Sequence, residues 1–585
     1  MQEKIKNGIK EALKKLEIDS GDIVLEHPED FKNGDYSTNV AMVYAKEMKM
    51  KPVDLAEKII AEIARLNSDN GVEGVEEIEI AGPGFINFFL SREFFAESVE
   101  EILKQKENFG KNNLFASKKV MVEYTDPNPF KPFHIGHLMT NAIGESVSRI
   151  FEFSGAKVTR ANYQGDIGPH VAKAIFGLQK FGLPDKSLPI SNQAQYIGEC
   201  YSKGSNLYDT DDSAKKEIDE INKKLYEKSD EKINEIYNWG RKITLEAFEE
   251  LYKLLGTKFD KYYFESEVSE IGKKIVFENL KKVEDPEDNR RIFEKSDGAV
   301  VFYGEKYDPK LHTRVFINSQ GLPTYETKEL GLTMLKFKKD NFFSKKLDLS
   351  IVTTAVEQAE YMKVVQKAIS IMHPDLEKRM KHITHGMMRL ESGKMSSRKG
   401  NVVTGESLIN DAMDVVREKI SGREFSEIEK QNIAKIVGIS ALKYSILKSS
   451  IGSDIIFDFE KSISFDGDSG PYLQYTAVRA NSILGKAKDF NFKYEKEIPE
   501  ETTSLEKMLY QFPEVVNRVY RELAPHYIAT YLTELASAFN TFYANTKILD
   551  ENNKYIVYHL ELVNSFYQTM KNGLWLLGIE TPERM

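Results

Sequence analysis

The sequence predicts a multidomain α/β protein: a doubly wound parallel sheet that carries a helical insertion, with a small α/β unit before it and an all-helical unit after it. Three observations predict this. Val120-Met121-Val122 reads as a buried strand, a helix with one apolar face follows, and Val158 to Tyr163 reads as the next strand, the alternation that builds a parallel sheet covered by helices. Charged helical sequence from about 185 to 300 interrupts the pattern, which resumes at Arg314-Val315-Phe316-Ile317 and Leu349-Ser350-Ile351-Val352. After about 460 the chain reads as nearly continuous helix.

The elements follow in order. Residues 1–110 form the small α/β unit. Ile5, Ile9, Leu13 and Leu16 stand at helical spacing among Lys and Glu, which makes an amphipathic helix rather than the continuous apolar core of a secretory signal. Gly34-Asp35-Tyr36-Ser37-Thr38-Asn39 follows, then the alternating Ile78-Glu79-Ile80-Ala81, the turn Gly82-Pro83-Gly84 and the extended Phe85 to Leu90. Residues 118–400 form the parallel-sheet unit. Asp126-Pro127-Asn128-Pro129 breaks its first strand, and Leu138, Ala142, Ile143, Val147, Ile150 and Phe151 line one face of the helix beyond. Within the insertion, Ala214 to Asn238 reads as a charged helix with solvated faces. Residues 401–460 are a helical linker, and 461–585 a helical unit with amphipathic segments such as Tyr531 to Tyr543.

Composition narrows the class. No run reaches the ~18 uninterrupted apolar residues of a membrane span, so no membrane partner is expected. Cys200 is the only cysteine, which excludes an internal disulfide and a multi-cysteine zinc site and points to a reducing, cytoplasmic setting. The net charge of -10 argues mildly against a polyanionic partner, although an acidic enzyme can still carry basic stripes.

Two motifs carry chemistry. His134-Ile135-Gly136-His137 stands where a strand feeds a helix, and a helix N-terminus suits phosphate. Its two histidines share a face and can donate hydrogen bonds to a phosphoryl group as charge develops. Gly136 lets a flat base approach the backbone. Gly393-Lys394-Met395-Ser396-Ser397-Arg398-Lys399-Gly400-Asn401 gathers cations and hydroxyls between glycines, as a loop that follows a departing pyrophosphate needs.

Together these motifs resemble the two signatures of class I aminoacyl-tRNA synthetases, and the wider pattern resembles the arginyl-tRNA synthetases. Val122 to Pro132 is similar to the extension of that family's first signature, as are Asn162-Tyr163 and Asp166-Ile167-Gly168. Pro323-Thr324-Tyr325-Glu326-Thr327-Lys328-Glu329-Leu330 resembles its amino-acid-binding helix. Gly470 to Tyr475 and Leu577 to Met585 resemble its helical anticodon-binding domain, and Gly34 to Asn39 its additional N-terminal domain.

The resemblance implies a Rossmann-type catalytic domain that joins L-arginine to arginine-specific tRNA through an arginyl-adenylate, using ATP with Mg2+ and no zinc. It implies catalytic roles for His134, His137, Lys131 and Lys394. For ATP it implies Gly136, Gly386, Met388, Lys394, Met395, Ser396, Ser397 and Lys399. For arginine it implies Glu123, Asn128, Tyr325, Glu329 and Gln358, and Tyr475 and Arg479 are expected to touch tRNA. The N-terminal unit is expected at the tRNA elbow, 401–460 at the stem, 461–585 at the anticodon, and the enzyme is expected to be a monomer.

The residues themselves agree with arginine. A guanidinium is a planar, permanent cation that needs carboxylates and planar acceptors. Glu123 ends the first strand, where such sheets bind ligands, and Tyr325 and Glu329 are four apart on one helix. Some positions depart from the family pattern: Glu329 stands where Asp is commoner, Thr353 to Gln358 lacks a glycine, and Ser397 replaces a second lysine. Lys131 resembles the lysine that offsets that loss. A cysteine-specific synthetase is disfavoured by the single cysteine, a small nucleotidylyltransferase by the long helical module, and a non-catalytic tRNA-binding paralogue by the intact His134, His137 and Lys394.

Overall fold

In the computed structural model, which describes residues 1–66, 71–281, 291–338, 347–391, 404–490 and 495–585, the N-terminal amphipathic pattern becomes α1 (Gln2–Lys15), with Ile5, Ile9, Ala12 and Leu13 buried. β1 (Tyr36–Thr38), α2 (Val40–Ala45), α3 (Pro52–Ala64), β2 (Val75–Ala81) and β3 (Phe85–Leu90) complete this unit. Its strands pair antiparallel in the order β1-β3-β2. α4 (Arg92–Gln105), capped by Ser91, leads out of it.

The expected parallel sheet is present. β4 (Lys119–Glu123), α5 (Ile135–Phe153), β5 (Lys157–Gln164) and α6 (Pro169–Phe181) follow one another, and α7 (Ile190–Thr210), α8 (Asp212–Glu227) and α9 (Glu231–Leu254) then leave the sheet as a helical excursion. The charged segment Ala214 to Asn238 is not one helix. Lys228 turns left-handed (φ 53°) and Asp230 caps a fresh start at Glu231.

The stretch 185–300 also differs from a single inserted block. Within it, β6 (Lys261–Phe264) returns to pair parallel with β5 as an edge strand of the main sheet, and α10 (Glu265–Glu278) follows directly. β7 (Glu294–Ser296), β8 (Ala299–Tyr303) and β9 (Thr313–Ile317) form a separate antiparallel sheet. Arg314 to Ile317 therefore lies outside the parallel sheet where its apolar pattern seemed to resume. Val315 is 39% exposed, as an outer-sheet strand allows and a central parallel strand does not.

α11 (Tyr325–Phe337), β10 (Leu349–Ala355), α12 (Ala359–Met372) and β11 (Met380–His385) complete the domain. The main sheet runs β11-β10-β4-β5-β6, all parallel. Strand order reverses between β4 and β10, and the crevice at the carboxyl ends of those two strands is where such sheets hold ligands. β12 (Met388–Leu390) pairs with β13 (Ile455–Phe457), a short parallel ribbon whose second strand lies within sequence that reads as helical.

α13 (Gly405–Lys419), α14 (Glu427–Leu447), α15 (Phe459–Ser462), α16 (Gly470–Ala487), α17 (Ser504–Leu509), α18 (Phe512–Glu522), α19 (His526–Asn545) and α20 (Ile556–Leu576) form the helical part. Its core is continuous with the apolar face of α5. Ser146 donates to the Leu576 carbonyl (2.9 Å), and Lys443 donates to the carbonyls of Leu255 and Gly578 (2.7 Å each). The N-terminal unit has its own core, into which Tyr510 inserts, and Glu514 accepts from the Tyr36 hydroxyl (2.5 Å).

Candidate functional site

The loop from β4 to α5 is held under backbone strain. Thr125, Asp126 and Phe130 all have positive φ (79°, 48° and 68°), a conformation that costs L-residues about 1–3 kcal/mol each and is retained where a site needs it. Asp126 accepts the Tyr163 amide (2.7 Å), and Asn128 accepts the Gly165 amide (3.1 Å), so side chains of this loop tie it to the end of β5.

At the mouth of α5, the His134 amide donates to Nδ1 of His137 (3.2 Å), and the two rings stack with centroids 3.5 Å apart. That bond leaves Nε2 of His137 as the protonated, donating nitrogen. Burial, then the nearby Lys131 and His385, lowers His134 to about 4. Burial, then His134, holds His137 well below its ordinary value. Both rings are therefore neutral at pH 7, and the local positive charge comes from Lys131. Its ammonium lies 5.3 Å from the Tyr201 ring, and burial lowers its pKa. A Cβ on Gly136 would meet the His134 ring at 3.0 Å, so the glycine lets that ring fold over the helix start.

The basic-loop residues Lys394, Met395, Ser396, Ser397 and Lys399 lie outside the described residues. The chain beyond them is fixed beside the histidines: Thr404 bridges to His134, and the Gly405 amide donates to the Phe133 carbonyl (2.8 Å). On the other side, Gly386 passes against the 453–454 backbone, where a Cβ would lie 2.4 Å from the Ser453 carbonyl oxygen. The Met387 amide donates to Asp454 (2.7 Å), and Met388 is buried in the β12–β13 ribbon.

Deeper in the crevice lies a group of charged side chains. Glu123 and Lys336 form an ion pair of 2.8 Å with both side chains 1% exposed. Glu329, 5% exposed, is pushed up to about 7 by burial, with Lys336 lowering it and Glu123 raising it. Burial, then Glu123, pushes Asp126 well up. On α10, Glu265 pairs with Lys328 at 2.6 Å, both buried.

The structure thus brings Glu123 and Glu329 together, and sets Asn128 at Gly165, near Glu265. Tyr325 opens α11 61% exposed, with the Lys328 ammonium 5.4 Å from its ring, and Gln358 is exposed just before α12. Tyr475 and Arg479 meet on α16: the guanidinium is 5.0 Å from the Tyr475 ring and 5.4 Å from that of Tyr543, and donates to Asn540 (2.6 Å).

Sequence reasoning did not single out Lys336, Glu265, Lys328 or Asp126. Lys336 carries a helical-period signal, since it lies two turns beyond Glu329 on the same face. Glu265 and Lys328 are 63 residues apart and carry none. Asp166, quoted only as part of a motif, is fully buried and accepts from Arg241 (2.8 Å) and from the amide and hydroxyl of Ser266 (2.9 and 2.7 Å).

Comparison with known proteins meets this geometry. The family model described as tRNA synthetases class I (R), catalytic domain, matches residues 98–459. The arginyl tRNA synthetase N terminal domain matches 3–90, and the DALR anticodon binding domain matches 473–585. The chain is 31% identical to the arginine–tRNA ligase of Borreliella burgdorferi, covering 96% of this chain and 95% of that one. It is also 31% identical to the arginine–tRNA ligase of Halothermothrix orenii, covering 100% and 99%. In fold it is similar to the arginyl-tRNA synthetase of Thermus thermophilus, with a TM-score of 0.81 at 24% identity and complete coverage of both chains.

Proposed function

The chain belongs to the class I arginyl-tRNA synthetases, and from that premise we propose which of its residues carry each step. The enzyme ligates L-arginine to arginine-specific tRNA with ATP, through an arginyl-adenylate, and releases pyrophosphate and AMP. The observation that carries the residue assignment is the crevice at the sheet's switch point, where buried carboxylates stand behind a helix mouth bearing two neutral histidines.

In the first step a carboxylate oxygen of arginine attacks the α-phosphorus of ATP in line, and the bond to pyrophosphate breaks. Positioning and charge neutralisation carry the rate, with no covalent enzyme intermediate. We assign His137 Nε2–H, His134 and Lys131 to the phosphates, together with Lys394, Met395, Ser396, Ser397 and Lys399 of the basic loop. Gly136 and the Gly386 to Met388 backbone receive adenine. Glu123, Asn128, Tyr325, Glu329 and Gln358 receive arginine, the carboxylates taking the guanidinium. In the second step a hydroxyl of the terminal tRNA ribose attacks the acyl carbon, and the bond to AMP breaks.

Mg2+ enters this reading as the counter-ion of ATP. The imidazole and ammonium donors at the helix mouth fit phosphate oxygens, and no group of three or more candidate ligands for a metal occurs among the described residues. Zinc has no part in the reading.

For tRNA we assign residues 1–110 to the elbow, 401–460 to the stem and 461–585 to the anticodon, with 118–400 catalytic. Tyr475 and Arg479 offer a stacking surface of the kind splayed bases use. No helix among the described residues is long and apolar enough to cross a membrane. We read the enzyme as a cytoplasmic monomer.

Arginine-dependent exchange of pyrophosphate into ATP tests the order of steps. We expect exchange to require bound tRNA, as the family resemblance implies. Exchange at full rate without tRNA contradicts that expectation.

A further inference from the structure

We infer that Lys336 is a positioning residue for the amino-acid substrate: its ammonium ties down Glu123 and offsets its charge, so that Glu123 and Glu329 together meet the guanidinium with one net negative charge. The inference rests on the proposed arginine crevice and deepens it.

The geometry is a buried line of charge. Lys336 pairs with Glu123 across from α11 to β4 at 2.8 Å, and both side chains are 1% exposed. Glu329 stands two turns back along α11, beside the Thr333 hydroxyl, close enough to feel both members of the pair. A small cavity adjoins Glu329 and Lys336 and is lined further by Met362 and Gln366 of α12 and Lys381 of β11.

Two buried carboxylates facing one guanidinium leave a surplus negative charge, which is costly in a dry site. With Lys336 in place, Glu123, Lys336 and ionised Glu329 sum to one negative charge, equal and opposite to arginine. Without Lys336, one carboxylate keeps a proton near neutrality and meets arginine with a poorer, neutral acceptor.

The charged and titratable groups facing Glu329 come from every neighbouring element. They are Glu123 on β4, Asp126 in the β4–α5 loop, Tyr163 on β5, Glu265 on α10, Lys336 on α11 and Tyr361 on α12, with Lys381 on β11 across the cavity. Lys336 lowers Glu329, while burial, Glu123 and Glu265 raise it, and the balance stands at about 7. Arginine's guanidinium stays protonated throughout. His134, held near 4, does not titrate in the same range.

The test is KM and kcat for arginine in full aminoacylation, with tRNA and ATP saturating, from about pH 6 to about pH 8.5. For the wild type, KM should fall as pH rises through about 7, because Glu329 gains its charge there. Lys336→Met should move that fall upward by about one pH unit or more, with KM changing more than kcat. Lys336→Arg should restore the wild-type profile. A Lys336→Met enzyme with a native far-ultraviolet spectrum and an unmoved profile overturns the inference.

Glu123→Gln supplies the opposite sign and covers the case in which the methionine variant does not fold. It removes a carboxylate that raises Glu329 and turns Lys336 toward it, so the fall should move downward. No movement, or upward movement, overturns the inference. Glu329→Gln separates this outcome from failure of the crevice itself: an unchanged arginine KM in that variant shows that the guanidinium binds elsewhere, whatever Lys336 does.

Discussion

Lys131 shows how much one residue's role depends on its surroundings. In the sequence it is a lysine in a proline-rich loop. In the fold it is partly buried against Tyr201, close enough to both histidines to help keep them neutral, and opposed by Glu265. A desolvated cation beside neutral donors is placed to stabilise charge that grows on a phosphate. We expect Lys131→Ala to cut kcat by about 100-fold, the usual cost of a transition-state contact, with arginine KM little changed. A loss of only about two- to threefold in a steady-state assay removes Lys131 from the mechanism.

Legibility in the sequence varied sharply from residue to residue. His134 and His137 announced themselves by spacing at a strand-to-helix turn. Glu123 was legible through its place at the end of a strand and Glu329 through the family resemblance, since a lone helix carboxylate reads as a surface group, and the lysine that pairs with Glu123 was not legible. Lys336 looked like one more helix lysine, because a buried cation is visible only once the strand that faces it is known. The pairing of Glu265 with Lys328 depends on α10 crossing α11, and no local pattern records that crossing.

That crossing sets the crevice at the level of elements. Gly272 and Gly331 let the two helices touch backbone to backbone: a Cβ on Gly272 would lie 1.9 Å from the Thr327 carbonyl oxygen, and one on Gly331 would lie 2.5 Å from that of Val268. The contact holds Lys328 and Glu329 at their depth. Gly272→Ala must push α11 outward, at a cost of about 1–3 kcal/mol for overpacking, with Glu329 displaced. We expect a lower melting temperature together with a raised arginine KM. A variant that melts like the wild type and binds arginine normally shows that the crossing does not set the pocket.

The same scale explains where the sequence misled. β6 was hidden in charged helical surroundings, and a four-residue edge strand gives little periodicity to read. β9 had the apolar composition of a sheet strand but pairs antiparallel in a smaller sheet, and a short apolar run does not specify its partner. By contrast β4, α5 and β5 followed one another as strand, long amphipathic helix and strand, a pattern that specifies a parallel sheet, and appeared as expected.

Across the whole molecule, the N-terminal unit docks on the C-terminal helices through the very motif that marks it in the sequence. Asp35 pairs with Lys507 (3.0 Å), while Tyr36 and His27 both reach Glu514 (2.5 and 3.0 Å). The far end of the chain is fixed to the catalytic domain by Lys443, which bridges the Leu255 and Gly578 carbonyls, and to α16 by Gln474, which donates to the Glu580 carbonyl (2.5 Å). The helices assigned to the anticodon are thus joined through packed helices to α5, whose first turn carries the histidines. Ends so fixed to one another suit a substrate that spans the molecule. The central claim is that this chain charges tRNA with arginine, and incorporation of labelled arginine into total tRNA measures it directly. We predict ATP-dependent attachment of arginine and of no other amino acid; charging with a different amino acid, or with none, would contradict the account.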